Sequence, residues 1–370
     1  MNKKGFFSKN KSIRKAMQIV EQSPNTYLLS CLFVSSGIRK IFYNYTFRKK
    51  ELLNKLSSND PLPRNLYIEG TNICNSNCVF CAYDKLKRPK TIMPMELFID
   101  IINQYVSIGG KAIGLTPIVG DPCMDRHLLE RIHYVDSIKQ IRNIGFYTNS
   151  IALDKDKVDG IFEVKDTIIN LSVSFGGYDS DTFKTIMGVD KFDTVRENIN
   201  YLLDKIENQP NKNVVVKIDF RCPNEIANDT FFHRLNKFID DKKIKHETLG
   251  GRVDSFGGLI DKETIEAAGL SYRFPSPKLG PCDIVFRKPL VLADGRINAC
   301  AERDLEASLI IGDTKEQSLK EIFTGQKKKD FIQSFYEHKY PNVCKKCSVY
   351  QSIYDLRSKV WKNNLSWAKD

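Results

Sequence analysis

The sequence has no apolar stretch that approaches the roughly 20 residues needed to cross a bilayer. Its first residues, MNKKGFFSKNKS, have neither the apolar run nor the small-residue cleavage site of a secretion signal. It also contains no internal repeat and no low-complexity tract, and its 21 glycines and 14 prolines in 370 residues are ordinary for a globular protein. These absences exclude membrane-spanning and low-complexity classes and predict a globular, cytoplasmic protein.

The net charge of +12 is concentrated at one end of the chain. Residues 1–60 hold 12 Lys or Arg against three acidic residues, whereas the rest of the chain is nearly balanced. This distribution indicates a local basic segment and not a long basic groove, so nucleic acid is not an expected partner. We predict an amphipathic helical extension over residues 1–62, either packed as a cap on the main domain or docked peripherally on an anionic membrane surface.

Short apolar strands alternate with helical stretches between residues 63 and 262. The predicted strands are 66–69, 112–115, 143–147, 168–174 and 214–220, and the helices between them include 95–107, 128–135 and 192–206. Such alternation predicts βα units around a parallel sheet, with ligands at the carboxyl ends of the strands. The expected fold class is therefore α/β, with a partial (β/α)6 TIM-like barrel over residues 63–262.

The pattern changes after residue 262. Residues 284–299 look like a β-hairpin with a turn at Asp294-Gly295, and a helix and a Cys-x-x-Cys pair follow. We predict a small C-terminal domain over residues 263–350 and a helical tail over residues 351–370.

The ten cysteines carry the chemistry. Cytosolic thiols are kept reduced, so clustered cysteines are interpreted as metal ligands. Cys74, Cys78 and Cys81 have C-x3-C-x2-C spacing directly after the first predicted strand. Three thiolates can hold three irons of a cubane and leave the fourth iron open to another ligand. A zinc site completed by a distant residue is the alternative.

Four further cysteines form a second set, namely Cys282, Cys300, Cys344 and Cys347. Four thiolates can ligate a metal completely. The sequence leaves open tetrahedral zinc, rubredoxin-like iron and a cubane iron–sulfur cluster.

The C-x3-C-x2-C spacing with an aromatic residue before its last cysteine resembles the signature of the radical S-adenosylmethionine (SAM) superfamily. The resemblance implies that SAM binds the open iron and is cleaved to a 5′-deoxyadenosyl radical, which abstracts a substrate hydrogen atom. It implies SAM contacts for Phe80, Gly120, Asp121, Pro122, Thr148, Asn149, Ser172, Ser174 and Arg221. Phe80 is expected near the adenine, and Arg221 is expected to pair with the SAM carboxylate. Asp121 stands where the family has Glu, and Ser150 where it has Gly.

The second set resembles the C-terminal auxiliary-cluster domain called Twitch, which is related to the longer SPASM domain, and is most similar to that of aminocyclitol dehydrogenases. The resemblance implies two 4Fe–4S clusters, one SAM-binding and one auxiliary. It favours oxidation of a secondary alcohol of a sugar or aminocyclitol, with an electron donor such as flavodoxin or ferredoxin. Alternatives are epimerisation, modification of a peptide, and a non-catalytic iron–sulfur or zinc protein.

Three other residues are catalytic candidates. Cys123 and Cys222 follow predicted strand ends, where either thiol can donate a hydrogen atom to a substrate radical in an epimerisation. Asp254, in a glycine-rich segment, is a candidate base for a substrate hydroxyl.

Overall fold

The computed structural model describes residues 62–63, 65–222, 229–248, 252–275, 278 and 280–351. The predicted N-terminal extension, apart from residue 62, lies outside the described residues, as does the C-terminal tail from residue 352. No helix within the described ranges is long and apolar enough to cross a membrane.

Six parallel strands form the centre of the fold and pair in chain order. They are β1 (Asn65–Ile68), β2 (Ala112–Gly114), β3 (Asn143–Thr148), β4 (Ile168–Phe175), β5 (Val214–Phe220) and β6 (Lys245–Thr248). The expected α/β class and partial barrel are confirmed. The sixth strand was not located from the sequence, because its four side chains are all exposed and it shows no apolar alternation.

Helices connect the strands and cover one face of the sheet. They are α1 (Met95–Ser107), α2 (Leu128–Asp136), α3 (Lys155–Phe162), α4 (Ser180–Met187), α5 (Phe192–Asn208) and α6 (Thr230–Asp240). Strand alternation determines this arrangement, since successive side chains point to opposite faces. On β4, Leu171, Val173 and Phe175 are fully buried on the helix-covered face, whereas Ser172 and Ser174 lie on the opposite face, inside the barrel.

The C-terminal segment continues the same sheet. Strand β9 (Leu290–Val291) pairs in parallel with β1, and β10 (Arg296–Asn298) and β11 (Ile310–Asp313) follow in antiparallel order, giving nine strands. A separate two-stranded sheet pairs β7 (Arg252–Asp254) with β8 (Ser271–Arg273). The remaining helices are α7 (Lys262–Ala267), α8 (Ile284–Arg287), α9 (Leu319–Thr324), α10 (Gln326–Tyr336) and α11 (Asn342–Lys346).

The predicted hairpin over residues 284–299 is shorter than expected. Its first four residues form α8, in which Arg287 pairs with the Asp283 carboxylate one turn earlier. Pro289 ends the helix, and only β9 and β10 form the hairpin. Gly295 has a φ of +95° in the connecting turn, a conformation that glycine adopts without strain.

Candidate active site

Cys74, Cys78 and Cys81 lie on the loop after β1, at the carboxyl edge of the parallel sheet. The hydroxyl oxygen of Ser76 is 3.5 Å from the Cys74 sulfur and 3.3 Å from the Cys78 sulfur. The amide of Cys81 donates to the carbonyl oxygen of Cys78 at 3.0 Å, which closes a tight turn between these two cysteines. The loop therefore gathers the three thiols on one short stretch of backbone.

Burial raises the pKa of each of these thiols, for Cys81 to about 12. Neighbouring cysteines add to the shift for Cys78 and Cys81, because closely spaced thiolates repel one another, and the Asp121 carboxylate adds to it for Cys74. A bound iron reverses this balance, since a metal cation favours the thiolate. The donor set is therefore costly to ionise alone and fits a site that binds a metal.

The turn after α4 supports the cysteine loop. The amide of Asn77 donates to the Met187 carbonyl at 3.1 Å, and the amide of Val79 donates to the Ile186 carbonyl at 3.0 Å. Gly188 has a φ of +70°, and a methyl group there would overlap the carbonyl oxygen of Asn77. Only glycine combines this backbone conformation with such a close approach.

Gly120 and Asp121 connect the loop after β2 to the cysteine loop. Gly120 has a φ of +124°, and an added Cβ would lie 2.9 Å from the backbone of Asn72. The Asp121 amide donates to the Ile73 carbonyl at 2.8 Å. Pro122 then begins a short 3-10 helix, Pro122–Met124.

The Asp121 carboxylate is buried and holds the end of β3. It accepts hydrogen bonds from the Cys123 amide at 2.9 Å, the Thr148 hydroxyl at 2.9 Å and the Asn149 amide at 2.7 Å. Burial raises the pKa of Asp121, although these hydrogen bonds oppose the shift. Because its oxygens are engaged with the protein, Asp121 is placed to position the loop after β3.

Asn149 makes direct contact with the cysteine loop. Its side-chain amide donates to the Asn75 side chain at 2.8 Å, to the Ser76 hydroxyl at 3.1 Å and to the Cys74 sulfur at 3.8 Å. The loops after β1, β2 and β3 thus form one connected polar network around the first cysteine set.

Arg221, at the end of β5, lies on the barrel side of this network. Its guanidinium group is 5.9 Å from the centroid of the Phe80 ring and 5.7 Å from that of Tyr147. It donates to the Asp219 carboxylate at 3.2 Å, while its buried Nε atom has no partner among the described residues. An unsatisfied buried donor beside Phe80 fits an anionic group such as the SAM carboxylate.

Sequence reasoning missed a charged cluster inside the barrel, formed by Tyr147, Lys217, Asp219 and Glu247. The Lys217 ammonium lies 3.0 Å from the Tyr147 hydroxyl, 2.9 Å from Asp219 and 3.1 Å from Glu247. Strand register places this cluster next to Ser172 and Ser174. Burial lowers the pKa of Lys217, but these partners raise it more, so the ammonium form is favoured. The two-residue spacing of Lys217, Asp219 and Arg221 was the available signal.

The second cysteine set lies beside a small apolar cluster that includes Phe335, Tyr340 and Tyr350. Burial raises the pKa of all four thiols, for Cys282 to about 11. No three Cys, His, Asp or Glu side chains in the described ranges converge as the ligands of a single ion do. A cubane takes each thiolate on a different iron, so its ligands are spaced apart.

A series of side-chain and backbone contacts joins the barrel interior to this second set. The Lys288 ammonium lies 5.5 Å from the centroid of the Tyr67 ring on β1 and 2.6 Å from the Glu302 carboxylate. The Glu302 amide in turn donates to the Cys300 sulfur at 3.4 Å. Tyr67 lies across Gly114, its register partner on β2, where a Cβ would collide with the ring.

Of the three catalytic candidates, Cys123 and Cys222 lie away from the barrel interior, and Asp254 is held in an ion pair. Cys123 is buried in the main core beside Asp121. Cys222 is fully buried next to Tyr178, on the helix-covered side of β5. Asp254 accepts two hydrogen bonds from Arg303, at 2.7 and 2.9 Å. Burial raises the pKa of Asp254, but the Arg303 guanidinium lowers it by more, so the pKa lies below its usual value. A carboxylate held in this ion pair is better suited to a structural role than to that of a base.

A parallel α/β barrel with a three-cysteine loop at its carboxyl edge and a four-cysteine site attached defines an iron–sulfur enzyme class. Comparison with known proteins agrees, because residues 68–226 match the Radical SAM superfamily and residues 282–348 match SPASM, an iron-sulfur cluster-binding domain. The chain therefore carries a radical SAM domain followed by a SPASM-type iron–sulfur domain. Its cofactors are SAM and 4Fe–4S clusters, one of them auxiliary.

The chain aligns with about half the length of the curated relatives that it matches. It is 24% identical over 207 residues to the GTP 3′,8-cyclase of Haemophilus influenzae strain PittEE, covering 53% of this chain and 58% of that protein. It is 30% identical over 145 residues to a probable GTP 3′,8-cyclase of Saccharolobus islandicus, covering 38% and 43%.

Two solved structures share the fold. BtrN in complex with AdoMet and 2-DOIA superposes with a TM-score of 0.51 at 16% identity, over 80% of this chain and 97% of BtrN. SuiB from Streptococcus suis, bound to precursor peptide SuiA, superposes with a TM-score of 0.52 at 14% identity, over 92% and 85%. Such low identities show a common architecture alone.

Proposed function

We propose that this enzyme oxidises a secondary alcohol of a sugar, an aminocyclitol or a similar polar small molecule by two electrons. The observation that carries the proposal is the chain of contacts from the barrel interior through Tyr67, Lys288 and Glu302 to Cys300. These contacts run from the barrel interior, where we place the substrate, to the cysteine set that we propose as the site of the electron acceptor.

The first cysteine set, Phe80 and Arg221 are the proposed residues for the SAM-binding cluster and SAM. When bound and reduced, this pair of cofactors supplies a 5′-deoxyadenosyl radical that takes a hydrogen atom from the substrate. The ring of Phe80 offers a face for the adenine, and Arg221 a cation for the carboxylate. Asn149 and Asp121 hold the loop in position, since both bind the backbone or side chains around it.

A polar substrate is supported by the barrel interior. Ser172, Ser174 and the cluster around Lys217 present hydroxyl, ammonium and carboxylate groups near the carboxyl ends of β4, β5 and β6. Hydroxyl-rich molecules can add hydrogen bonds to such groups, whereas an apolar substrate would remove water from them and supply no hydrogen bond in exchange.

The second cysteine set supports oxidation over a redox-neutral reaction. Four cysteines supply a thiolate for each iron of a cubane, so no iron is left to bind the substrate. The proposed balance is one hydrogen atom to 5′-deoxyadenosine, one proton released from the hydroxyl group, and one electron to the auxiliary cluster. A flavodoxin or ferredoxin in the cytoplasm is the proposed external redox partner.

The alternatives remain outcomes of the test. Epimerisation needs a hydrogen atom returned to the substrate, and neither Cys123 nor Cys222 faces the barrel interior, which counts against these two donors. Cyclisation of GTP, the reaction named for the curated relatives, and peptide modification are the other candidates.

The decisive experiment uses anaerobically reconstituted enzyme with alcohols deuterated at the carbinol carbon. We expect deuterium in 5′-deoxyadenosine and a ketone product. Cys78→Ala should abolish both, whereas Cys344→Ala should retain SAM cleavage and lose the ketone. Deuterium transfer with an inverted alcohol indicates epimerisation, and turnover of GTP or of a peptide alone overturns the proposal.

Metal analysis tests the auxiliary site independently. Two cubanes require about eight irons with matching sulfide per chain. Zinc bound at the second cysteine set would remove the electron acceptor and contradict the oxidation proposed here.

A further inference from the structure

A partly buried lysine lies beside the second cysteine set. The Lys278 ammonium donates a hydrogen bond to the backbone carbonyl oxygen of Cys347 at 2.6 Å and lies 4.6 Å from the centroid of the Tyr350 ring. Among the residues that the structure describes, no carboxylate forms an ion pair with Lys278. Burial lowers the pKa of Lys278, and the thiolates of Cys347, Cys282 and Cys344 oppose this shift by favouring the ammonium form.

A second partly buried cation near these cysteines is already neutralised. Arg303 interacts electrostatically with Cys347, but its guanidinium group is bound bidentately by Asp254 and lies 3.6 Å from Glu302. Lys278 is therefore a partly buried positive charge beside these cysteines that no carboxylate among the described residues neutralises, whereas Lys345 and Lys346 are exposed.

We propose that Lys278 raises the reduction potential of the auxiliary cluster. A cluster held by four thiolates carries net negative charge, and one-electron reduction adds one more unit. A nearby positive charge stabilises the reduced form more than the oxidised form, particularly where burial weakens screening. The hydrogen bond to Cys347 holds the ammonium close to the ligands, so its charge acts at short range.

This inference deepens the proposed function, because a higher potential makes the site a better acceptor for the substrate electron. The reduction potential can be measured without substrate, so the effect of Lys278 is tested independently of which alcohol the enzyme oxidises. Lys278 adjusts the reduction potential of the auxiliary cluster and does not touch the substrate.

The test is a redox titration of the reconstituted holoenzyme followed by electron paramagnetic resonance. The auxiliary signal is the one that added SAM does not change, because SAM binds only the other cluster. For Lys278→Met we expect the equilibrium constant for reduction to fall roughly tenfold or more, which is about 59 mV for a one-electron couple. Iron and sulfide contents should remain those of the parent enzyme.

Two variants act as controls. Lys278→Arg keeps the charge and should restore most of the potential. Lys345→Met removes an exposed charge next to the ligand Cys344 and should leave the potential unchanged. If Lys278→Met loses the cluster, Lys278→Gln keeps a donor for the Cys347 carbonyl and takes its place. An unchanged potential in a fully loaded Met or Gln variant, or a Lys345→Met shift of equal size, overturns the proposal.

Discussion

Ser150 combines two unfavourable features directly after the end of β3. Its φ is +63°, in the left-handed region, and its buried hydroxyl group has no hydrogen-bond partner among the described residues. Its backbone is nevertheless well fixed, since its amide donates to the Thr148 hydroxyl and its carbonyl oxygen accepts from Asn198. The strain is therefore held in place by the loop that also positions Asn149.

Replacing Ser150 with glycine should stabilise the protein. Glycine removes both the left-handed penalty and the unpaired hydroxyl, which together outweigh the added freedom of the unfolded chain, so we expect a gain of about 1 kcal/mol. Thermal unfolding measures the change. Ser150→Ala is the matched control, because it removes the hydroxyl and keeps the Cβ. Equal stability of the two variants would contradict the predicted free-energy penalty of the left-handed backbone at position 150.

At the scale of elements, the C-terminal end of α4 limits how the cysteine loop can fold. Gly188→Ala would force its methyl group against the Asn77 carbonyl and displace the loop. We expect the variant to lose roughly half of its iron, the share of one cubane among two, together with SAM cleavage. Gly109→Ala is the control, since Gly109 also has a positive φ, of +87°, but nothing lies near its added Cβ. Equal iron contents in the two variants would contradict the prediction.

Asp136, at the end of α2, fixes the segment before β4. Burial raises the pKa of Asp136, but hydrogen bonds from the amides of Lys165, Thr167 and Asp166 lower it by more, so the net shift is downward. Because its pKa is lowered in the folded state, the ionised Asp136 carboxylate stabilises the fold at pH values above 3.8, its ordinary pKa. This contribution is lost as the pH falls below 3.8.

The variant Asp136→Asn tests this pH dependence. We expect it to unfold at a lower temperature than the parent enzyme at pH 7, with the gap closing as the pH approaches 3. Thermal unfolding followed by circular dichroism at several pH values measures the gap. A gap that is constant with pH would mean that the carboxylate charge contributes nothing.

The sequence predicted elements whose signal is local. Strand β5 was predicted at residues 214–220 and lies there, because its apolar residues and its flanking loops are evident along the chain. The short helix α8 and the pair β7 and β8 were missed, since they depend on contacts with distant segments. The cysteine sets were visible from spacing, whereas the cluster around Lys217 required the register of three strands.

At the scale of the whole molecule, a buried ion pair ties the barrel to the C-terminal segment. Arg88, on the segment that returns from the cysteine loop, binds the fully buried Glu69 carboxylate bidentately at 2.9 and 3.0 Å. Its Nε atom also donates to the Leu305 carbonyl oxygen at 2.9 Å. The pair thus connects the two cysteine-bearing parts of the chain.

Arg88→Met should destabilise the protein strongly, by about 3 to 5 kcal/mol, because it leaves a buried carboxylate unpaired. Urea unfolding measures the loss, and the double variant Glu69→Gln with Arg88→Met should recover part of it. Lys262→Met, which breaks an exposed pair with Glu266, is the control and should cost little. A loss no larger than that of the control would refute the role given to Arg88.

The pairing of β9 with β1 has a consequence for electron flow. Because the two strands are neighbours in one hydrogen-bonded sheet, the backbone pairing itself holds the segment of the first cysteine set beside the segment of the second. In the oxidation proposed above, the electron would therefore reach the auxiliary cluster without any movement of one domain toward another.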